Sequence, residues 1–502
     1  MAESNGKGRF SPFTRQLFVT VAIFFNTMGH GAGVGYVAVL SLQLQVPGAL
    51  IQITPSVLSW IASMVGPSLV IGNFLSGPIM SRFGRKKAMY CVILPAMVGW
   101  FITILATTRE ELFVGKILQG ISFGMVLPLR SCMLGEYLTP ANRGPFMSTI
   151  SLGQAAGITT AHIIGSFISW QMTGLVISFF FFISLIITIY SPESPSYLAS
   201  KGRYDEAREA FRWLRGDGEE QELNNLIKLC LLAEKNKIEL EILRRRGVMI
   251  RVAEAIKKPE FFKPIILMTH AFFLGQFSGA MALANYPTKV IGGLIGPEAS
   301  VPFWMIFLDV QRLCSNMATI FIIGKVKRRT MMLSTGLLCV LSHVGIAGYM
   351  YLKKNGLLFY DAAWIPMLLL NLQIMSVGMG MVPMPNVLAG EVYPLEYRSI
   401  CGSFSLVTSS FILFTSLKTF PSFLEAVGLH GTYVIYTLIL AYSLSVVMYL
   451  LPETKGRTLQ EIEDIFRGQP LLPEEMEVRK SLQKIHESRL SLRKSSIHSI
   501  DI

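Results

Sequence analysis

The chain carries one charged pattern twice, once in each half of its 502 residues. Each copy has a basic cluster, then a glutamate seven residues before an arginine, then Pro-Glu followed by a hydroxyl residue. The copies comprise residues 81–87, Glu136 with Arg143, and 192–194, and then residues 325–329, Glu391 with Arg398, and 452–454. A duplication on this scale predicts two related bundles, the architecture of carriers that rock around a central site.

The composition places most of the chain in a bilayer. Hydrophobic residues make up 51% of the positions and charged residues only 15%, whereas a soluble domain carries about 25% charged residues. The net charge of +13 is divided among short clusters between apolar runs and in the tail. That distribution fits cytoplasmic loops of a membrane protein, so we expect a lipid bilayer and no nucleic acid as partner.

Twelve apolar runs have the length of about 20 residues that a membrane helix needs. They lie near residues 17–39, 60–80, 88–107, 112–134, 146–168, 172–190, 264–286, 303–323, 331–352, 363–388, 399–420 and 431–451. The predicted fold is an all-α membrane protein of two pseudo-symmetric six-helix bundles with a small cytoplasmic helical domain. The predicted domains are 1–16, a cytoplasmic N-terminus; 17–195, the first bundle; 196–262, a helical linker; 263–452, the second bundle; and 453–502, a helix and disordered basic tail.

Loop charge predicts the orientation. The loops after the second and eighth spans are basic, whereas the loop before the second span contains no Lys or Arg. Since cytoplasmic loops collect positive charge, we expect both termini in the cytoplasm. The sequence contains no phosphate-binding Gly-x-x-x-x-Gly-Lys loop, no metal-spaced cluster and no nucleophile–base pair, so we expect neither an enzyme nor a metal or other cofactor.

The linker and the tail have different compositions. Residues 204–214 predict an amphipathic helix with Tyr204, Ala207, Phe211 and Leu214 on one face, as part of a platform under both bundles. Residues 219–246 continue as a charged helix. The tail from residue 469 is polar and basic, and a kinase acting on it at Ser491 or Ser495 is a possible partner.

The repeated charges lie at the cytoplasmic ends of the predicted helices. We expect them to form networks of opposite charge that act in gating and open in the inward-facing state. The residues assigned to these networks are Arg85, Glu136, Arg143, Glu193, Glu391, Arg398 and Glu453. The alternative is ordinary interfacial charge, because an exposed ion pair contributes only about 0–1 kcal/mol.

Several longer motifs carry a family resemblance. They are Gly84-Arg85-Lys86-Lys87, Gly135-Glu136 with Arg143-Gly144, residues 192–198, Gln276-Phe277-Ser278-Gly279, Gly390-Glu391 with Arg398, and residues 452–459. Together they resemble the sugar-porter branch of the major facilitator superfamily, and they are similar to its insect facilitated trehalose transporter-like group. The resemblance implies alternating access to a sugar, and with it a plasma-membrane location.

The sequence departs from that family pattern at the second basic cluster. Gly324 stands where the family usually has an acid, and Lys327 where it has glycine. Lys116 and Ser196 each replace a customary arginine. We therefore expect the charge network of the second half to be incomplete.

A sugar site needs uncharged hydrogen-bonding side chains from several helices. The candidates within the predicted spans are Gln154, His162, Gln276, Asn285, Asn386, Ser409 and Ser410. Such residues also occur as simple helix-to-helix hydrogen bonds. Measured against the family's sugar-binding pattern, only Gln276 is retained cleanly, so the sequence predicts the fold better than the cargo.

The eighth span contains an unusual pair of charges. Asp309 and Arg312 are three residues apart, so both lie on one face of the helix. Arg312 stands where the family commonly has Asn, and an unpaired arginine at this depth costs at least about 2.5–3.5 kcal/mol. We expect an intramembrane ion pair between the two residues. A structural salt bridge and an anion-binding role for Arg312 both remain open.

The first span predicts the mode of transport. It contains no Asp or Glu between residues 17 and 44, where proton symporters of this fold are expected to carry an acid. Asp309 is the only carboxylate within a predicted span, and Arg312 is expected to keep it ionised. Facilitated diffusion is therefore favoured, with His30 as the reserve proton carrier.

These observations support one leading function and two alternatives. The leading prediction is a facilitative (uniport) carrier of a sugar such as a hexose or trehalose, working by alternating access. The first alternative is a non-transporting sugar sensor or regulatory homologue. The second is a carrier of an organic anion that uses Arg312.

Overall fold

The computed structural model describes residues 11–216, 258–296, 300–393, 398–457 and 459–468, and for residues 140–145, 148, 398–400 and 459–460 only the backbone. Every regular element in these ranges is helical. The first half contains helices α1 to α7, which are Pro12–Leu44, Pro55–Ser63, Val65–Phe83, Arg85–Leu105, Arg109–Tyr137, Pro140–Phe167 and Trp170–Tyr190. Two short helices follow, α8 (Pro195–Ser200) and α9 (Tyr204–Arg215).

The second half is interrupted more often. Its helices α10 to α15 are Pro259–Phe277, Ala280–Asn285, Pro287–Ile295, Val301–Ile322, Arg328–Lys354 and Trp364–Ser376. A π-helical turn, Val377–Met381, leads to α16 (Pro383–Glu391), α17 (Arg398–Leu450) and α18 (Leu459–Arg467). Gly428 has a φ of 69° and divides α17 into two membrane-length parts.

Ten helical segments among the described residues are long and apolar enough to cross a membrane. Large apolar side chains along them are exposed, including Phe74, Phe101 and Phe321. Exposed apolar surface on this scale is stable in lipid and unstable in water. The all-α membrane fold predicted from the sequence is confirmed.

The helix starts follow local sequence signals. Ser11, Thr54 and Ser169 each accept a hydrogen bond from the backbone of the first turn that follows. At α5, Thr108 and Glu111 form a reciprocal capping box. These side chains satisfy backbone N–H groups that have no partner within the helix.

Two spans of the second half are broken. Gly279 has a φ of 80° and separates α10 from α11. The Gln373 amide donates to the carbonyl oxygen of Ser278 at this break, at 2.8 Å. Pro383 and Pro385 lie beyond the π turn in the other broken span. Breaks inside a membrane are tolerated where a neighbouring helix satisfies the freed groups, as Gln373 does here.

The helix contacts divide the protein into two halves. The first half is held by α1 against α6 and α3 against α5, and the second by α10 and α14 against α17. The halves meet where α13 packs on α6 and where α17 packs on α2 and α3. We call the end of the bundle that carries α8 and α9 the linker end, and the opposite end the far end.

The described part of the linker packs under the first half. In α9, Ala207, Phe211 and Leu214 are buried, and Tyr204 packs on them at the edge, as the predicted apolar face requires. Arg15 donates to the carbonyl oxygen of Trp213 at 2.9 Å. The predicted contact of the linker with the second bundle, the helix at 219–246, and the tail with Ser491 and Ser495 all concern residues outside the described ranges.

Candidate functional site

The first charge network lies at the linker end of the first half. Arg85 Nη2 donates to Glu136 Oε1 at 2.6 Å, and the Ser194 hydroxyl donates to the other oxygen of Glu136 at 2.5 Å. Glu193 Oε1 accepts from the backbone N–H groups of Arg85 at 2.7 Å and Lys86 at 3.1 Å. Glu193 therefore caps α4, and the paired charges join α4, α5 and the segment before α8.

The second half repeats this arrangement. Arg328 Nη2 lies 3.2 Å from Glu391 Oε1, and the Thr454 hydroxyl donates to Glu391 Oε2 at 2.5 Å. Glu453 Oε1 accepts from the backbone N–H of Arg328 at 3.0 Å, and its Oε2 accepts from that of Arg329 at 3.3 Å. Partial burial acts to raise the pKa of Glu453, but the hydrogen bonds from Lys455, Arg328 and Arg329 outweigh it and lower the pKa.

The described part of the second network therefore matches the first, although the sequence predicts that it is incomplete. That prediction gave weight to Gly324 and Lys327, but the network is made by Arg328, Glu391 and Glu453. The carboxylates of the network come from Glu391 and Glu453, and Gly324 contributes no side chain. Arg143 and Arg398 lie in the helical backbone of α6 and α17, and their side chains are outside the described residues.

A buried group of three charged or titratable side chains joins the halves nearer the far end. His162 on α6 lies with Nδ1 2.5 Å from Asp309 Oδ2 on α13, and its Nε2 lies 3.1 Å from the carbonyl oxygen of Ala284 on α11. Arg312 Nη1 lies 3.6 Å from Asp309 Oδ1. The side chains of His162 and Asp309 are 1% and 3% exposed. We call these residues the His162–Asp309–Arg312 cluster.

This geometry refines the expected intramembrane ion pair. Arg312 does lie beside Asp309, but His162 is the closer partner, and it comes from the other half of the protein. From the sequence, His162 is predicted only as a candidate sugar ligand. Arg312 is 6% exposed, and its Nε and Nη2 atoms have no hydrogen-bond partner among the described residues.

A second inter-half contact lies at the far end. Lys418 on α17 donates to the Ser59 hydroxyl on α2 at 2.9 Å, and its ammonium lies 3.9 Å from the centre of the Trp60 ring. The Trp60 ring also approaches Phe414, with 6.3 Å between centroids. A cation over an indole face is attracted by the ring quadrupole. This contact was not predicted, since no local pattern connects residues so far apart in the sequence.

The remaining predicted sugar ligands lie on five different elements. Gln154 is half-buried on α6, and Ser409 is half-buried on α17. Gln276 on α10 has an Oε1 atom that is buried without a partner among the described residues. Asn285 is buried and donates to the carbonyl oxygen of Met281, and Asn386 is exposed and donates to that of Val382. Each of these two side-chain amides therefore uses one N–H in a bond to a carbonyl four residues earlier. The other N–H and the amide oxygen stay available to a ligand.

Two basic side chains inside the spans of the first half, one buried and one half-buried, have no role assigned from the sequence. Lys116 Nζ donates to the carbonyl oxygen of Gly33 at 2.6 Å, which ties α5 to α1. Arg130 Nη1 is buried and has no partner among the described residues. A basic residue inside an apolar span is the signal that identifies both positions.

Comparisons with known proteins agree with this architecture. Residues 18–466 match the family model described as "Sugar (and other) transporter". The facilitated trehalose transporter Tret1 of Apis mellifera ligustica is 26% identical over 464 residues, covering 91% of this chain and 89% of the relative. Tret1 of Bombyx mori is 24% identical over 453 residues, covering 89% and 86%.

Solved structures share the fold. The inward-open conformation of the xylose transporter XylE from E. coli matches with a TM-score of 0.68 at 17% identity, covering 90% of this chain and 99% of that one. The proton:xylose symporter XylE bound to 6-bromo-6-deoxy-D-glucose matches with a TM-score of 0.67 at 18% identity, covering 91% and 99%. Since the family match spans most of the sequence, the chain belongs to the sugar (and other) transporter family, shares the fold of the major facilitator protein XylE and is a multi-pass membrane transporter.

Proposed function

We propose that the protein is a facilitative carrier of a sugar such as trehalose or a hexose, and that it works by alternating access. The observation that supports this most directly is the pair of matching charge networks, Arg85–Glu136 and Arg328–Glu391, each inside one half. Each network fixes the linker end of its own half, so that the half can move as a unit. Motion of two such units around a central site is the basis of alternating access.

The proposed orientation places the linker end in the cytoplasm and the protein in the plasma membrane. The hydrogen bonds and ring contacts described between the halves lie toward the far end, including His162–Asp309, Lys418–Ser59 and Trp60–Phe414. Asn386, on a membrane span near the linker end, is exposed. Both observations are those expected of an inward-facing state, in which the extracellular side is closed. Both charge networks are formed in this state, which disagrees with the expectation that they open when the carrier faces inward.

The proposed cargo follows from the chemistry of the candidate ligands and from the relatives. Gln154, Gln276, Asn285, Asn386 and Ser409 supply neutral donors and acceptors on α6, α10, α11, α16 and α17. Neutral amides and hydroxyls are suited to the hydroxyl groups of a sugar. Two relatives of similar length are named as facilitated trehalose transporters.

Uptake by the purified protein in liposomes tests the proposal. Radiolabelled trehalose and several hexoses are offered without an ion gradient, and saturable uptake that ends at equal concentrations is expected. Gln276→Ala should raise the KM, while Ser445→Ala, on the exposed part of α17, serves as the control. Binding without flux would overturn the carrier proposal in favour of a sugar sensor. Accumulation above equal concentrations when an inward proton gradient is imposed would overturn facilitated diffusion.

An organic anion is the second candidate cargo, and one observation favours it. The buried Arg312 has two guanidinium nitrogens without a partner, a geometry that a carboxylate or phosphate satisfies. If the cargo is an organic anion, added carboxylates should inhibit uptake and added sugars should not. Unchanged affinity and selectivity in Arg312→Asn would rule it out.

A further inference from the structure

We propose that His162 and Asp309 together bind one proton, which is exchanged with the far side only and holds the far end closed. The inference rests on the proposed alternating-access motion, because the two residues belong to different halves. The first span lacks the acid that proton symporters of this fold are expected to carry. The proposed proton site lies instead between α6 and α13. The hydrogen count of the His162 ring provides the main argument.

Both ring nitrogens of His162 face oxygen atoms that accept hydrogen bonds. Nε2 faces the carbonyl oxygen of Ala284, which can only accept, so Nε2 must carry a hydrogen. Nδ1 lies 2.5 Å from Asp309 Oδ2, a distance that requires a hydrogen between the two atoms. A neutral imidazole has one N–H, so the second hydrogen is an additional proton, on Nδ1 or on the carboxyl group.

Loss of that proton removes one of the two links between the halves. If the remaining hydrogen stays on Nε2, two lone pairs meet at the 2.5 Å contact with Asp309 and repel each other. If it moves to Nδ1, Nε2 faces the Ala284 carbonyl without a hydrogen at 3.1 Å. In both cases a buried acceptor loses its hydrogen bond, which is costly inside a protein. The deprotonated cluster therefore favours separation of α6 from α11 or α13.

The charges around the ring make the bound proton depend on contact between the halves. From α13, Arg312 lies 3.6 Å from Asp309. From α1, Gly35 lies against the ring, since a Cβ at that position would lie 3.2 Å from His162 Nε2. From α5, the Lys116 ammonium donates to the carbonyl oxygen of Gly33, two residues before Gly35. From α11, the ring meets the neutral Ala284 carbonyl. With the Arg312 cation beside the cluster, the added positive charge is stable only while Asp309 touches the ring.

The location of the pair determines which side exchanges the proton. His162 lies five residues before the end of α6 at Phe167, and Asp309 lies eight residues after the start of α13 at Val301. At 1.5 Å per residue, both are about 8–12 Å from the far ends of their helices. The pair is buried in the present state, so it meets water when the far end opens. The proton is taken up from that side and returned to it, and net proton transport is zero.

A reaction at the far end tests the site independently of any cargo. Leu58 is 2% exposed and lines a small cavity with Tyr286 and Phe420, which belong to the other half. Leu58→Cys in liposomes is labelled with a membrane-impermeant maleimide at far-side pH values from 5.5 to 8. The exposed far-end position Leu357→Cys corrects for the pH dependence of the reagent. Labelling above that of the parent chain measures opening of the far end.

We expect corrected labelling to rise with pH by up to tenfold per unit, the limit for one linked proton. In the Leu58→Cys protein, His162→Gln and Asp309→Asn should each make labelling independent of pH. His270→Gln on α10, whose Nδ1 meets the Ile266 carbonyl, should leave the pH dependence unchanged.

The proposal would be overturned if labelling of Leu58→Cys depended equally on pH with and without each of the two cluster substitutions. Sugar-driven proton entry, recorded with a dye inside the liposomes, would overturn same-side exchange. If uptake fails but labelling follows pH, the proton site stands and the proposed cargo does not.

Discussion

The guanidinium of Arg328 lies 3.2 Å from the carboxylate of Glu391, although the two residues are 63 positions apart. The same relationship joins Arg85 to Glu136 in the first half, at 2.6 Å. Each glutamate also accepts a hydroxyl, from Ser194 or from Thr454. The two halves therefore share one arrangement at the linker end, in which a glutamate pairs with an arginine and accepts a hydroxyl.

Neutralising either glutamate should weaken its own half. In Glu391→Gln and Glu136→Gln, a partly buried arginine loses its counter-charge, and we expect a loss of about 1–3 kcal/mol in stability. Thermal unfolding in detergent should show a lower Tm for each variant, and liposome uptake should show a lower maximal rate. The exchange Arg328→Glu with Glu391→Arg tests whether the pair itself matters. A Tm of this double variant no higher than that of Arg328→Glu or Glu391→Arg alone would contradict a direct ion pair.

The sequence predicted the fold because its signals are local. Apolar length identifies the spans, and the repeated charges mark the linker end of each half. The predicted span ends near residue 420, but the helix continues through Pro421 to the break at Gly428. Proline is tolerated inside membrane helices when neighbouring groups satisfy the freed backbone carbonyl.

The contacts between the halves could not be predicted in this way. His162 and Asp309 are separated by 147 positions, so neither periodicity nor spacing connects them. Arg312 was recognised as the partner of Asp309 because it is three residues away on the same helix. The closer partner depends on how α6 packs against α13, and this packing is a property of the folded chain alone.

The break at Gly279 should not accept a side chain. Its φ is 80°, and a Cβ would lie 2.1 Å from Gln373 Nε2, the atom that donates to Ser278. We expect Gly279→Ala to cost about 1–3 kcal/mol, from backbone strain and the displaced hydrogen bond. Gly348→Ala on α14 is the control, because a Cβ there meets no atom within 4 Å. Equal Tm values for the two variants in detergent would contradict this account.

The stability of the second network should depend on acidic pH through Glu453. Backbone N–H groups lower its pKa below the ordinary value of 4.5. A lowered pKa means that the stabilisation is complete above about pH 4.5 and is lost as the pH falls through the folded-state pKa. The Tm difference between the parent and Glu453→Gln should therefore be largest near pH 7 and shrink at lower pH. The exposed Glu425→Gln should show no such convergence.

The Lys418 contact should hold the far end closed. The ammonium bonds Ser59 and lies over Trp60, and both interactions cross between the halves. Lys418→Met should lose about 1–2 kcal/mol of this closure, which increases the open fraction by about 5–30-fold. Hydrogen–deuterium exchange should then be faster in residues 55–63. Lys354→Met removes an exposed ammonium at the same end, on the last residue of α14, and is the matched control. If both variants exchange at the parent rate, α2 is held closed by its apolar contacts with α17 and the cation contributes nothing to the gate.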